Sequence, residues 1–541
     1  MSAATPRPTD FPTDPARPDA PGRGPEVIAE PLGGSALAGL ALENVSTPWF
    51  ERRPATPDEW RTHAELVRRS ASPSWHSALA GAFEASGPAQ QRLDRVAAAG
   101  GIVVTTGQQP GLFGGALYTW NKAMAVLALA DAIEHVTGIP TAPVFWAATD
   151  DADFAEASFT WLRTATGAQR VVQEQAPSDG EPLAEVELQG IEQAFRVLAD
   201  ASGSAADLAP LQAVRDTYQV GRTMGAAYRD LLRRLLQPMG IAVLDASHPA
   251  LLEAERPLLV RALQAGPAIA AALDERDRAL RDAGFEPQVA LMRELSLVFG
   301  RVVRRKTRVP LVKAADIARA AAGVLSPTVL LRPVVERALL PTVAYVAGPG
   351  ELAYFAQTGA VADALELPAP LAVPRWSCTV LEPDVRAIVN RLGVTWQALA
   401  DRHQVERGVA RGAAPPSLVE ELDAVRERVR ADVERVKAIA SRPPTLLDPR
   451  VLDGATRGML LRLDRVERRL LAAVKRREAA TMRDIAVAAG AVFPGGKRQE
   501  RALNFIPLLA RYGAPLVDTM RASARRHADA LIAGQPLPVR G

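Results

Sequence analysis

Apolar residues change their spacing along this chain, and each change marks a different kind of structure. From about residue 26 to 100 they recur at helical intervals in an Ala-rich background, with Pro57 and Pro73 as breaks. Beyond that, short continuous apolar runs alternate with helical stretches. "GIVVTT" (101–106) precedes a helix at about 117–136, and "PVFWAAT" (143–149) precedes "DDADFAEAS". "IAVLDAS" (241–247) precedes a helix opening near Pro249, and "LPTVAYVAGPGE" (340–351) precedes "LAYFAQTGAVADAL". Strand, polar loop and helix, four times over, predict an α/β fold with a parallel sheet covered by helices. The stretches 188–240 and 250–285 read as helical insertions between sheet strands. "LSLVFGRVVRRKTRVPLV" (295–312) reads as a hairpin or a small antiparallel piece.

A different period begins near 417. Leu422, Val425, Val429, Val433, Val436 and Ile439 recur at spacings of three and four among mostly charged residues. "RPPTLLDPR" (442–450) interrupts this seam, and a second runs through Met459, Leu463, Val466, Leu470 and Val474. Two seams about a Pro-rich turn predict an antiparallel coiled-coil arm, roughly 35 Å long for about 22 residues per helix. The alternative is two ordinary helices packed on the body. The last piece, "FPGGKRQERALNFIPLLARYG" (493–513), has turn chemistry followed by an apolar helix and reads as a return to the main domain.

The expected division is therefore a disordered tail at 1–25 and a core at 26–380 with helical insertions at about 188–285. A helical arm follows at 381–484, and a segment at 485–541 returns to the core. The tail is rich in Pro and polar residues and has no apolar region of a secretory signal. With 541 residues the chain is long enough for a large core and more than one structural unit. No apolar run reaches the ~18 residues of a membrane span. The net charge is only +3, and no long basic block suggests a nucleic-acid groove. A single cysteine, Cys378, rules out an internal disulfide framework and fits a cytoplasmic protein. Its setting in "PRWSCTV" reads as a small buried residue rather than a nucleophile.

In parallel sheets the loops after the strands form the ligand crevice. Here they carry Gly107, Gln108 and Gln109; Asp150, Asp151 and Asp153; Asp245 and His248; and Gly348, Gly350 and Glu351. The first loop matches neither a Walker loop nor G-x-G-x-x-G. Its glycines (Gly107, Gly111, Gly114, Gly115) nevertheless free the backbone to approach a ligand, and N–H groups opening the next helix can hold an anion. Gln108 and Gln109 both donate and accept, and Lys122 can meet a carboxylate or phosphate; the plainer reading is a tight turn with a solvated lysine. "TDDAD" puts three carboxylates in four residues, able to bind an ammonium, bind Mg²⁺, act as a base, or merely cap the next helix. The six histidines are scattered singly and support no zinc site. Of these only His248 falls in a strand-end loop. No G-x-S-x-G elbow supports a hydrolase triad. Arg375 can pair bidentately with a substrate carboxylate or form a structural salt bridge.

Five ordered blocks carry a resemblance. They are "TTGQQPGLFGGALYTWNKA", "PVFWAATDDADFAEA", "LLRPVVERALLPTVAYVAGPGELAYFAQ", "LAVPRWS" and "FPGGKRQERALNF". Together they resemble the bacillithiol biosynthesis cysteine-adding enzyme family, from about residue 30 to the C-terminus. The resemblance implies a Rossmann-like parallel sheet core with helical connecting insertions and a C-terminal antiparallel coiled-coil arm that supports a homodimer. It implies a cytoplasmic ligase that joins cysteine to the amine of glucosaminyl malate, forming a carbon–nitrogen bond. The core's similarity to class I aminoacyl-tRNA synthetases and nucleotidyltransferases brings in ATP, with Mg²⁺, as activator of the cysteine carboxylate. Within this frame Asp150, Asp151 and Glu351 are the candidate catalytic carboxylates. Tyr118 in the first block and Ser377 in "LAVPRWS" join the loop residues above, Lys122 and Arg375 as candidate substrate-binding groups. The chain departs from the family at Ala152, where a histidine is common within Ser-Glu-Asp-His-Asp-Phe, and at Gly115-Ala116, where Gly-Pro is common. Two other readings stand beside the ligase: an ATP-dependent ligase or nucleotidyltransferase acting on another substrate, and a non-catalytic scaffold on a degenerate enzyme core.

Overall fold

The computed structural model describes residues 24–173, 179–320, 323–443 and 447–537. The expected tail at 1–25 lies outside these but for its last two residues. Five strands form one parallel sheet: β1 (Ile102–Gln108), β2 (Thr141–Ala147), β3 (Ala242–Asp245), β4 (Thr342–Ala347) and β5 (Ala372–Pro374). Their lateral order is β5-β4-β1-β2-β3. The chain thus builds outward from β1 in one direction, then returns to add β4 on its other side. The reversal between β1 and β4 is a topological switch point, and ligands bind such sheets at the carboxyl ends of the strands beside it.

The strands are apolar throughout because both sheet faces are covered. Ile102 and Val104 point into one apolar cluster and Val103 into another; Phe145 and Ala147 likewise oppose Val144 and Trp146. This two-residue alternation between two cores is what a doubly covered parallel strand requires. Helix α1 (Leu117–Thr137) is buried on nearly every side. It is sandwiched between the sheet and the long C-terminal helix Ile506–Ile532, where Trp120 stacks on Phe505 with centroids 5.5 Å apart. The segment after 493 thus lays its long helix against α1.

Helix α2 (Pro349–Ala364) follows β4 directly. The stretch at 295–312 forms the antiparallel pair Leu295–Val302 and Arg305–Pro310, joined by Leu325–Pro327 as a third strand. Three elements depart from the pattern-based reading. Glu26–Ala29, read as helical, is a strand pairing antiparallel with Cys378–Leu381. Strand β5 has only three residues and ends in Pro374, which is tolerated because β5 is an edge. The hairpin Phe159–Thr164 with Gly167–Val172 was also unforeseen.

The arm is present as two helices, α3 (Pro416–Ala440) and α4 (Pro449–Arg477). Cross-helix ion pairs set their antiparallel register. Arg426 reaches Asp464 at 3.1 Å and Glu467 at 2.5 Å near the base, and Lys437 reaches Asp453 at 2.6 Å near the tip. Shorter helices between 383 and 412 pack with Ala479–Val492 around Val385, Leu399, Val405 and Ile485, a small core of their own at the foot of the arm. Among the described residues no helix is long and apolar enough to cross a membrane.

Candidate functional site

A cleft of about 790 Å³ opens at the switch point. Its walls include Gly107, Gln108, Gln109, Tyr118 and Lys122 from the β1 side, and Asp150, Asp151, Ala152 and Asp153 from the loop after β2. Gly348, Gly350, Glu351 and Arg375 come from the β4–β5 side. The three loops expected to converge do so.

A chain of polar contacts crosses the switch point. Lys122, 3% exposed, places Nζ 2.7 Å from Oε2 of Glu351, and also donates to the Gly107 carbonyl (2.6 Å) and Gln108 Oε1 (3.1 Å). The lysine is therefore not solvated, as the plainer reading of this loop has it. Glu351 accepts further hydrogen bonds from the Tyr345 hydroxyl (2.6 Å) and the Gly348 N–H (2.6 Å). A side chain at Gly348 would stand 3.2 Å from that carboxylate, so a glycine there leaves room for Glu351 to fold back on its own helix N-terminus. Arg332 extends the chain, donating to the Tyr345 hydroxyl (3.0 Å) and to Glu336 (2.8 Å). Burial opposes ionisation of Glu351, but Lys122 and the two neutral donors outweigh it and hold its carboxyl below the usual range. Burial also pulls the Lys122 ammonium below its ordinary value, against the pull of Glu351. A carboxylate so fully engaged anchors the crevice and has little affinity left for a proton.

The opposite wall behaves differently. Asp151 accepts from the backbone N–H groups of Ala152 (2.6 Å) and Asp153 (3.0 Å). Burial pushes its carboxyl above the usual aspartate range, with Asp150 adding to the shift and Lys306 and the two N–H groups opposing it. Asp150 pairs with Lys306 at 2.8 Å, and Asp153 caps the short helix Phe154–Ala157 through the Glu156 N–H (3.0 Å). The three aspartates thus divide into an ion pair, a cap and a half-buried carboxylate of raised proton affinity. Among the described residues no group of three His, Cys, Asp or Glu side chains is arranged to hold a metal ion.

Several expected residues lie elsewhere. The glycine loop at 111–115 does not line the cleft. The Asn504 amide donates to the carbonyls of Phe113 and Gly115 (3.0 Å each), and Tyr218 bridges Gly111 O (2.9 Å) and Gly114 N (3.1 Å). The first N–H of α1, on Leu117, is given to the Leu503 carbonyl at 2.7 Å. The helix start expected to hold an anion is thus covered by the chain's own C-terminal block. Arg375 makes the structural alternative real: it forks onto Glu500 at 2.7 and 2.9 Å in a fully buried pair, leaving Nε toward Gly348. Ser377 donates to the same Glu500 at 2.9 Å and lines a different cavity. His248 caps the helix at Pro249 through its Nδ1, 3.1 Å from Ala250 N, and lines a neighbouring cavity of about 340 Å³. Among the described residues, Asp150 and Lys306 line both that cavity and the cleft. Cys378 is buried, as its setting suggested.

The sequence reading missed the cleft's other charged residues: Glu156, Lys306, Arg308, Arg332 and Arg501. Lys306 and Arg308 alternate along one strand and so share a face, a pattern visible in "RRKTRVP". Nothing in the local pattern singles out Arg332, whose contacts are all long-range or within its own helical turn.

The fold and cleft define a Rossmann-like protein whose switch-point crevice has the ion-paired Lys122, Arg332 and Arg375 on one side and Asp151, a carboxylate of raised proton affinity, on the other. Family comparison narrows this. Residues 42–376 match the N-terminal Rossmann-like domain of bacillithiol biosynthesis BshC, and residues 378–529 match its C-terminal coiled-coil domain. The chain belongs to the BshC family. A relative from Solibacter usitatus (strain Ellin6076), named "Putative cysteine ligase BshC", is 32% identical over 82% of this chain and 86% of its own length. One of the same name from Koribacter versatilis (strain Ellin345) is 30% identical over 88% of this chain and 89% of its own.

Proposed function

We propose that this chain is a ligase that joins cysteine to the amine of glucosaminyl malate, or a near relative of it, in bacillithiol synthesis. The observation that carries the reading is one cleft shared by a carboxylate of raised proton affinity, Asp151, and several cationic side chains, Arg332, Arg375, Arg308 and Arg501 among them. Amide formation needs both. The amine attacks the activated carboxyl carbon of cysteine, a carbon–nitrogen bond forms, the activating group leaves with its electron pair, and the amine gives up a proton. Asp151 is the candidate to take that proton, since burial raises its affinity and, among the described residues, no cation forms a salt bridge with it, Lys306 acting on it only through space. Glu351, held ionised by Lys122, instead keeps the β1 and β4 loops together.

The anionic parts, malate carboxylates or the phosphates of ATP if ATP is the activator, fall to Arg332, the Nε edge of Arg375 and the start of α2. Asp153 and Glu156 face the same cleft as candidates for the cysteine ammonium. The arm is read as the dimer contact, because much of its apolar surface is exposed.

The test is deletion of the gene with thiol profiling of the cells, paired with incubation of the purified protein with cysteine, glucosaminyl malate and Mg-ATP. Loss of bacillithiol with accumulation of glucosaminyl malate is expected. Undiminished bacillithiol without accumulation overturns the assignment.

A further inference from the structure

A second built cavity lies away from the cleft. Helix Ala36–Glu43 ends at Asn44, whose backbone is left-handed (φ 55°). The Asn44 side-chain amide donates to the Arg53 carbonyl and accepts from the Arg53 N–H, both at 2.9 Å, and so closes the loop between them. Trp49 at the loop's tip packs edge-on against Phe285, with centroids 5.6 Å apart. The loop is pinned at both places, and Arg53 is carried into the body at 3% exposure.

Arg53 lacks the carboxylate partner that the buried Arg375 and Arg163 have. Arg375 forks onto Glu500, and Arg163 pairs with Glu382 at 2.5 Å. Among the described residues the Arg53 guanidinium has neither a salt bridge nor a hydrogen bond, and its buried Nε has no partner. Burial alone holds its pKa down, to about 10. A buried charge without compensation is costly, and in native proteins such a group calls for an unseen ion or water.

Arg53 lines a cavity of about 200 Å³ together with Arg276. Arg276 donates to the Ala356 carbonyl at 2.5 Å and to the Trp49 carbonyl at 3.4 Å, and no carboxylate lies within salt-bridge reach of it among the described residues. The two acids lining this cavity, Glu51 and Asp363, are exposed, and Asp363 acts on Arg276 only from beyond salt-bridge reach. Two guanidiniums face a polar cavity that supplies no buried counter-charge. We infer that this cavity is a second anion site, which takes a small oxyanion of the phosphate class, either free phosphate or the phosphate group of a small phosphomonoester. Two planar forks and a cavity larger than one water suit such a ligand. Phe355 and Gly359 of α2 line the same cavity, so its occupant bears on the helix whose first turn carries Glu351.

The experiment is calorimetric titration of the full chain with inorganic phosphate, and separately with glycerol 3-phosphate, at constant ionic strength in chloride. Wild type is compared with Arg53→Met and Arg276→Met. Because the cleft also holds cations, crystals soaked in selenate locate the oxyanion by its anomalous signal. The expected results are a selenate peak within hydrogen-bond reach of Arg53 and at least about tenfold weaker binding of one of the two probes in either variant. In phosphate-free buffer Arg53→Met should melt no lower than wild type, since it removes an uncompensated charge. Selenate confined to the cleft, or affinities for both probes unchanged in the variants, overturns the inference. Should Arg53→Met fail to fold, Arg276→Met carries the titration alone.

Discussion

Lys122 Nζ and Glu351 Oε2 lie 2.7 Å apart across the one place where the sheet order reverses, and this pair ties the β1 loop to the start of α2. Removing one partner leaves the other buried and unpaired. Lys122→Met is expected to destabilise the fold by about 3–5 kcal/mol. The double change Lys122→Met/Glu351→Leu should cost clearly less than the two single changes added together, as a denaturant-based double-mutant cycle would read. The pair also sets a pH window. Glu351 titrates lower in the folded chain than its ordinary value of 4.5, so its contribution is complete above that pH and is lost as pH falls through the depressed value. Unfolding free energy measured from pH 7 to pH 3 should fall more steeply in wild type than in Glu351→Gln.

Asp151 moves in the opposite direction, since burial raises its pKa. If it accepts the amine proton, the acidic limb of kcat/KM lies above the ordinary aspartate value of 3.8, and activity falls as pH drops through that limb. Asp151→Asn should lower kcat by about 10²-fold or more with the fold intact. The same change at Asp150 should be milder in kcat, because that carboxylate is spent on Lys306. A pH–rate profile of Asp151→Asn that keeps the wild-type acidic limb would move the base elsewhere in the cleft, with Glu156 next in line, since burial raises it too.

The sequence showed the core strands and the arm because each has a period that its burial demands. β1 and β2 read as continuous apolar runs since helices cover both faces, and the arm's seams kept a three-and-four spacing over many turns. It showed which loops would meet, because β1 and β4 end in Gly107-Gln108 and Gly348 next to apolar runs. What stayed hidden is long-range. Strand β5 is too short to carry a pattern, and Glu26–Ala29 becomes a strand only because Cys378–Leu381 is there to pair with it. The glycine loop looked like an anion cradle, and its local chemistry permits one; Asn504, almost four hundred residues on, and Tyr218 fill it. Arg375 was ambiguous for the same reason, its partner Glu500 being distant in sequence and adjacent in space.

That clasp makes its own prediction. Asn504 holds the carbonyls of Phe113 and Gly115 while Phe113 sits at φ 53°, in a left-handed conformation that a bulky residue rarely adopts. Asn504→Ala leaves buried acceptors without donors and should cost about 1–3 kcal/mol. Hydrogen exchange should rise at 111–117 and around Leu503, with β1 itself unchanged. Exchange that rises evenly over the whole domain would mean that the clasp serves global stability rather than this loop.

The arm is the remaining surface whose exposure asks for a partner. Val436 (48%), Ile439 (64%), Val451 (58%), Leu461 (57%) and Val466 (53%) are exposed although α3 and α4 already pack on each other. Ile439 and Val451 lie just beyond the Lys437–Asp453 pair on the tip side, whereas Leu461 and Val466 lie well within α4. Charged residues occupy most other outer positions and keep the hairpin soluble, while the apolar ones gain little unless a second surface covers them. A second copy of this chain presents the same stripe and can do so by two-fold symmetry. Sedimentation equilibrium at micromolar concentration should therefore give a dimer. Ile439→Glu/Val451→Glu should shift it toward monomer by at least an order of magnitude in dissociation constant, with circular dichroism unchanged. A wild-type monomer at that concentration, or a charged variant that dimerises as tightly as wild type, removes the arm from the role of dimer contact.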